Sequence, residues 1–428
     1  LPPAHWMMYR DGKLTIERYW RPAYHKESNR TWQEDKELVR STLTEATRIR
    51  MISEVPIGAF LSGGVDSTII VGLMQSLSSR PVKTFSIGFP VKEYDETDYA
   101  RLAAKYIGTE HHEYMVQPDA VSIVDELSYF YDEPFADSSA IPTYYVSKWT
   151  REKVTVALTG DAGDELFMGY HRYYAARLYE MLDNLPASLR RLMAWKFWQK
   201  LPGGGTPHSY VRRVKRILEA IGYDKRGRYR NLVEIFSRDR REEIYTSEFR
   251  ESLHGSHPEH FVESLYDDFP SRDFLTQTGY VDFSSYLVCD ILTKVDIASM
   301  AVALECRSPM LDHEFVDLVA AMPIDRKIVG NRKKILLKEA FAEHLPPEIK
   351  RRGKMGFGVP LPYWFRNELK PLLHEVLFSP RAQQRGWFET ARLQNLVEEH
   401  ASGRAEHSGR LWALVMLELW ARKYLDAC

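Results

Sequence analysis

The sequence predicts an α/β fold: a doubly wound parallel sheet followed by a long helical C-terminal region. Three observations predict it. Short apolar, β-prone runs alternate with segments of helical period between Asp35 and Leu158, and such alternation argues parallel strands with helices on both faces. A glycine-rich turn, Ser62-Gly63-Gly64, ends the first of these runs and opens the helix after it. Beyond about residue 165 the strand signals fade and helical patterns continue to the end.

Taken in order, residues 1–22 hold two β-prone runs around Asp11-Gly12, which read as a hairpin. Alone such a hairpin is marginal, so it is expected to belong to something larger. Residues 23–34 are polar and read as a linker, and residues 35–428 as one unit. Leu38, Val39, Leu43, Ala46 and Ile49 recur at helical spacing from Asp35 to Met51. The strand candidates are then Val55–Leu61, Val82–Phe89, Glu110–Val116 and Val154–Leu158. The helix candidates between them are Ser67–Leu77, Asp95–Tyr106, Pro118–Tyr131 and Ile141–Thr150. No internal repeat or low-complexity segment is visible.

The loop Phe60-Leu61-Ser62-Gly63-Gly64-Val65-Asp66-Ser67-Thr68 carries the strongest chemical signal. Its glycines let backbone N–H groups approach an anion, and the next helix aims its positive end at the same point. The spacing and lysine of a Walker A loop are missing, and an aspartate stands inside the loop instead. A carboxylate beside phosphates calls for an intervening Mg²⁺, which favours hard oxygen ligands. A second cluster, Thr159-Gly160-Asp161-Ala162-Gly163-Asp164-Glu165, also follows a strand. Open parallel sheets bind ligands beyond the C-terminal ends of their strands, so the two loops are expected to face each other. Asp164 would share the metal, and Asp161 would handle a proton or orient an amine. The plainer alternative makes Asp164 a helix cap. In the cationic run Lys350 to Gly358, Arg351 and Arg352 read as a solvated face. Lys354, between glycines, reads as a residue able to offset charge on departing phosphates.

Composition bounds the partners. With 58 basic and 59 acidic residues the net charge is -1, which gives no global attraction to nucleic acid or anionic lipid. The stretch Val211–Arg216, with Arg226, Arg228 and Arg230, reads as the wet face of an amphipathic helix rather than an RNA footprint. Three cysteines without short paired spacing support neither a disulfide framework nor a zinc site. They point to a reducing, cytoplasmic compartment with buried or inert thiols. The apolar run from Leu411 is broken by Glu418 and falls short of the about 20 residues that span a bilayer, so no membrane is expected. No signal peptide is visible, and the chain opens on Leu1-Pro2-Pro3, as a fragment or a processed product would. His111, His112 and Cys306 read as structural side chains.

Together these residues resemble a known family. Ser62-Gly63-Gly64-Val65-Asp66-Ser67 is similar to the loop of N-type ATP pyrophosphatases. The blocks Thr84–Phe89, Leu158–Tyr170, Asp290–Met300, Leu304–Asp312 and Lys354–Pro360 narrow the resemblance to the synthetase domain of asparagine synthetases, over about residues 35–425. The resemblance implies that ATP adenylates a carboxylate, most simply aspartate, and that ammonia displaces AMP to give an amide. It implies pyrophosphate held by Ser62, Gly63, Gly64, Asp66 and Ser67, and Mg²⁺ on Asp66 and Asp164. It further implies adenosine cradled by Leu61, Ile87, Thr159 and Gly160, with Lys354, Asp161 and Asp66 in the catalytic set.

Residues 1–22 resemble the end of the glutaminase domain that precedes this one in full-length members. Ammonia-dependent synthesis is therefore the expectation for this chain, with glutamine use requiring that domain as partner. A homodimer is compatible with the family's frequent dimers, while the residues themselves leave the oligomeric state open. Asp161 stands where studied members carry glutamate, and Ser138 near where some place an arginine tied to aspartate use. Both departures leave open another carboxylate, such as a sugar acid, a peptide or a β-lactam precursor. A non-catalytic nucleotide-binding scaffold would be expected to have lost Asp66, Asp164 or Lys354, and all three are present.

Overall fold

The computed structural model describes residues 1–116, 120–182, 186, 222–269, 273–353 and 356–426. The chain opens with the hairpin β1 (His5–Arg10) and β2 (Lys13–Arg18), in which Arg10 faces Lys13 across a two-residue turn. Asp11 and Gly12 both have positive φ there, the backbone sign that matches the twist of paired strands. Helix α1 (Trp32–Arg50) starts at a reciprocal cap, in which Thr31 and Glu34 satisfy each other's backbone N–H groups.

The core sheet has five parallel strands in the order β5-β4-β3-β6-β7: Glu110–Met115, Lys83–Gly88, Ile57–Phe60, Val156–Leu158 and Glu305–Arg307. Helices α2 (Val65–Leu77), α3 (Thr97–Ile107), α4 (Ala120–Phe130) and α5 (Ala140–Arg151) lie where the sequence predicts them. α6 (Gly163–Leu166) and α7 (His171–Leu182) follow β6. Four helices then lead on: α8 (Lys225–Val233), α9 (Arg238–Ile244), α10 (Ser247–Ser252) and α11 (Glu259–Asp268). Next come α12 (Phe274–Ser284), a π-helical turn Leu287–Leu292, α13 (Thr293–Met300) and, after β7, α14 (His313–Ala320). A small hairpin over residues 328–333 precedes α15 (Ile335–Ala340), α16 (Pro347–Arg351) and α17 (Leu361–Trp364). The described chain closes with α18 (Lys370–Phe378), α19 (Pro380–Gln384), α20 (Thr390–Ala401) and α21 (Ser408–Tyr424).

The sheet separates two apolar cores, as a doubly wound fold requires. On one side Val39 and Leu43 of α1, Ile69 and Leu73 of α2, and Phe315 and Leu337 pack together. On the other, Ile123 and Leu127 of α4, Ile141 and Tyr144 of α5, and Trp412 and Val415 of α21 do the same. The helical region does not merely follow the sheet, because it supplies the fifth strand. β7 pairs with β6 in the register Leu158 to Arg307. Three residues are too few to show a period, so the strand could not be anticipated.

The strand order reverses between β3 and β6, and a crevice opens there beyond the strand ends. The loops that leave those two strands are the two that the sequence singles out. Among the described residues no helix is long and apolar enough to cross a membrane.

Candidate active site

The loop over residues 62–67 is shaped by where its chain can turn. Leu61 N–H still bonds to Phe85 O (2.8 Å), continuing the sheet, before the chain bends at Gly63 with φ +68°. A side chain at Gly63 would meet the backbone of Tyr99 at 2.4 Å, so only glycine fits. Within the loop Ser62 Oγ lies 3.1 Å from Ser67 Oγ, and Gly64 N–H donates to Ser62 Oγ (3.3 Å).

The second loop closes against the first. Thr159 N–H bonds to Arg307 O at 2.8 Å, and Ala162 takes a left-handed conformation (φ 73°) to start α6. A Cβ on Gly163 would lie 2.5 Å from Asp66 Cγ, so the glycine permits this approach. Asp164 sits inside the first turn of α6, whose cap position is Ala162, which removes the helix-cap reading of Asp164.

One side chain ties both loops together. The Lys334 ammonium contacts Asp66 Oδ2 and lies 2.6 Å from Asp164 Oδ1, and the lysine is almost wholly buried. Lys334 enters α15 in the left-handed conformation (φ 53°), a backbone cost of roughly 1–2 kcal/mol. Strain of this kind is concentrated where function fixes a side chain. Nothing in the sequence singles out Lys334. It lies among Arg332, Lys333 and Lys334 and looks like part of a solvated run, and only the fold carries it to the aspartates.

These groups line one cavity of about 1500 Å³. Of the residues anticipated from sequence, Leu61, Ser62, Gly64, Asp66, Ser67, Ile87, Thr159, Gly160, Asp161 and Asp164 line it. Gly63 belongs to the loop but not to the lining, and Lys354 lies outside the described residues. Arg352, expected on a solvated face, is instead 10% exposed by its side chain and paired to Glu96 at 2.5 Å, whereas Arg351 is exposed. Glu165, also in the lining, is pushed up to about 7 by burial and by the neighbouring Asp164 charge, and Tyr170 Oη donates to it at 2.7 Å.

The cavity lining holds a second charged group. Buried Lys294 donates from Nζ to Asp137 Oδ2 (2.9 Å) and Ser139 Oγ (2.8 Å). Burial alone would raise the Asp137 carboxyl, but the Lys294 ammonium and Ser139 hold it below the usual range. Asp290, on the π-helical turn, is pushed up to about 7 by burial and then by the Asp137 charge. π turns recur at functional sites because they shift a helix face by one position.

The other sequence expectations fall as follows. His111 meets Thr84 Oγ1 (2.9 Å) and Ser86 Oγ (3.2 Å) through its two ring nitrogens, a structural role. Burial pushes the Cys306 thiol up to about 12, so it stays protonated. Cys289 is exposed rather than buried, on the π-helical turn, although partial burial and then the Asp290 charge raise its thiol too. Val211–Arg216 lies outside the described residues. Nearby, Arg226 pairs with Asp267 (2.6 Å), Arg228 donates to Tyr179 O (2.6 Å) and Arg230 pairs with Glu234 (2.7 Å), so these arginines are engaged within the fold.

The profile of one family, asparagine synthase, matches residues 38–422. The chain belongs to that family. It therefore carries a ligase domain of the asparagine synthetase type. It is 28% identical to asparagine synthetase [glutamine-hydrolyzing] 1 of Bacillus subtilis over 98% of its own length and 64% of the relative's. It is 31% identical to a putative asparagine synthetase [glutamine-hydrolyzing] of Mycobacterium bovis over 91% of its length and 58% of that protein's. An amidase of Gibberella zeae, chry2, is 23% identical over 92% of the chain. The chain thus spans less than two thirds of the curated relatives it matches.

Proposed function

We propose that this chain adenylates a small carboxylate with ATP and passes the acyl group to ammonia, aspartate being the acceptor that fits best. The observation that carries the reading is the meeting of Asp66, Asp164 and Lys334 at the switch point, inside the cavity that the phosphate loop lines. A carboxylate oxygen attacks the α-phosphorus, and the bond from that phosphorus to the bridging oxygen breaks, so pyrophosphate leaves. The loop N–H groups and the Lys334 ammonium would offset the charge that grows on it. Lys354, which the family resemblance brings into the catalytic set, would add to that charge balance. Ammonia then attacks the acyl carbon, the bond to the AMP oxygen breaks, and the proton released has Asp161 as its acceptor on the cavity wall.

The donor set also suits Mg²⁺. Among the described residues no group of three or more His, Cys, Asp or Glu could hold a metal by itself. Mg²⁺ habitually takes one or two carboxylates and completes its shell with phosphate and water, and Asp66 and Asp164 supply that pair. Bound there, the ion would neutralise phosphate charge. Lys294 and Asp137 in the cavity lining give a cation and an anion side by side, suited to an acceptor that carries an ammonium and a second carboxylate. The amidase among the relatives keeps another acceptor in view, with Lys294 and Asp137 as the place where acceptors would be told apart.

The hairpin β1–β2 leaves Met7, Met8, Leu14 and Ile16 exposed. This supports reading residues 1–22 as the close of a glutaminase domain and residues 23–34 as the passage into residues 35–428. That domain would supply ammonia in the longer protein. ATP–pyrophosphate exchange tests the adenylation reading. Aspartate-dependent exchange is expected; exchange with a different acid would replace the acceptor, and none with any acid would reject adenylation.

A further inference from the structure

Arg352 stands at the junction of three elements. From the loop after α16 it donates Nη1 to Gly63 O (3.2 Å) and Nη2 to Glu96 Oε1 (2.5 Å), with its guanidinium carbon 3.8 Å from the centre of the Tyr99 ring. Glu96 occupies the cap position of α3 without a side-chain capping bond, and it lines the cavity together with Ser62, Gly64 and Val65.

A peptide unit is planar and trans, so a carbonyl and the N–H that follows it point in opposite directions. Holding the Gly63 carbonyl toward Arg352 therefore sends the Gly64 N–H the other way. It runs toward Ser62 Oγ at 3.3 Å, and Ser62, Gly64 and Arg352 all line the cavity. Between two glycines the backbone torsions do little to fix this peptide, since glycine adopts either sign of φ with equal ease, and within the loop the 3.3 Å bond to Ser62 Oγ holds it. Turned over, the same peptide would present a carbonyl oxygen to the phosphates. A clamp on the carbonyl side, from outside the loop, would supplement that bond.

We propose that Arg352 is that clamp, a positioning residue that fixes the Gly63–Gly64 peptide with its N–H facing bound phosphate. The inference rests on the ATP reading above and deepens it. Arg352 also pairs with Glu96 in the cavity lining, a second effect that is separable from the first.

The test is calorimetric binding of ATP and of inorganic pyrophosphate to the chain and to Arg352→Ala, Arg352→Lys, Glu96→Gln and the Arg352→Ala/Glu96→Gln pair, with a thermal melt of each. Losing a charge-assisted hydrogen bond that organises the loop should weaken both ligands about tenfold or more in Arg352→Ala. Glu96→Gln should stay within about threefold, and the double variant should remain as weak as Arg352→Ala. Arg352→Lys, which keeps the charge without the planar fork, should fall in between and serves if the alanine variant does not fold. Recovery of affinity in the double variant would reduce Arg352 to a charge screen and overturn the proposal. So would a lowered melting temperature with unchanged binding of both ligands. A parent chain that binds neither ligand would instead overturn the ATP reading, and this inference with it.

Discussion

Lys334 is the residue on which the charge balance of the two-aspartate site turns. Two carboxylates, Asp66 and Asp164, come from different loops and meet one buried ammonium. Removing one partner of a buried ionic group commonly costs about 3–5 kcal/mol, because the remaining charges are left uncompensated. Lys334→Met should therefore lower the melting temperature, and added Mg²⁺ should restore part of it by taking the place of the ammonium. Exchange activity should still fall by roughly 10²–10³, the usual loss for a preorganised charge partner. Melting curves with Mg²⁺ and with a chelator check this, and indifference of the variant to Mg²⁺ would remove the metal from the two-aspartate site. Asp290 makes a second residue-scale prediction. Its carboxyl sits at about 7 against 3.8 for an unperturbed one, so from about pH 4 to 7 the folded chain keeps a proton that the unfolded chain has lost. That contribution to stability is complete below pH 3.8 and is lost as pH rises through 7. Facing Asp290 are Asp137, Lys294 and Arg172, of which Asp137 raises it and the two cations oppose the rise. Asp290→Asn, neutral throughout, should flatten the decline in melting temperature between pH 5 and 8. An unchanged slope would show that another group is responsible.

At the scale of elements, the site is made by a turn and a short helix that glycine lets come together. In Gly163→Ala the new Cβ would lie 2.5 Å from Asp66 Cγ. Alanine favours a helix by roughly 0.5–1 kcal/mol over glycine, but the clash displaces Asp66, and overpacking typically costs about 1–3 kcal/mol. The expected result is a modest loss of stability with a larger loss of the melting shift that ATP induces. A variant with the full shift would mean that the two loops need not touch. Both loops were legible in the sequence because each is a local pattern, a strand end followed by glycines and acids. For the same reason β3 to β6 and the helices between them could be read in order, within a few residues at their ends. Periodicity reports which face is buried, and glycine reports where the chain must turn. Lys334, Arg352 and Lys294 were not legible. Each reaches partners more than 150 positions away, and nothing in its neighbours along the chain distinguishes it from a solvated cation. β7 escaped because strand character in three residues depends on β6 being beside it.

At the scale of the molecule, the division into an α/β core and a helical extension describes the order of the chain rather than two folding units. β7, from beyond residue 300, closes one edge of the sheet on β6. α14 and α15 supply Phe315, Val316, Leu336 and Leu337 to the same apolar core as α1 and α2. Lys334 and Arg352, from the same region, hold Asp66 and the Gly63 carbonyl. A piece ending near residue 170 would therefore expose the apolar face of α1 and α2, leave a raw strand edge on β6, and place Asp66 and Asp164 together with no cation between them. Each fully buried Leu or Phe partner lost takes about 1.5–3 kcal/mol with it, and only four such losses match the whole stability of a typical domain. Residues 35–170 should accordingly fail to fold alone, giving poor amide dispersion in NMR spectra and no melting shift with ATP. Residues 35–428 should melt cooperatively and show that shift. A well-dispersed spectrum and an ATP-dependent melt from the short piece would mean that the nucleotide site is complete without its helical half. Lys334 and Arg352 would then be accessories to binding rather than part of the structure that makes it possible.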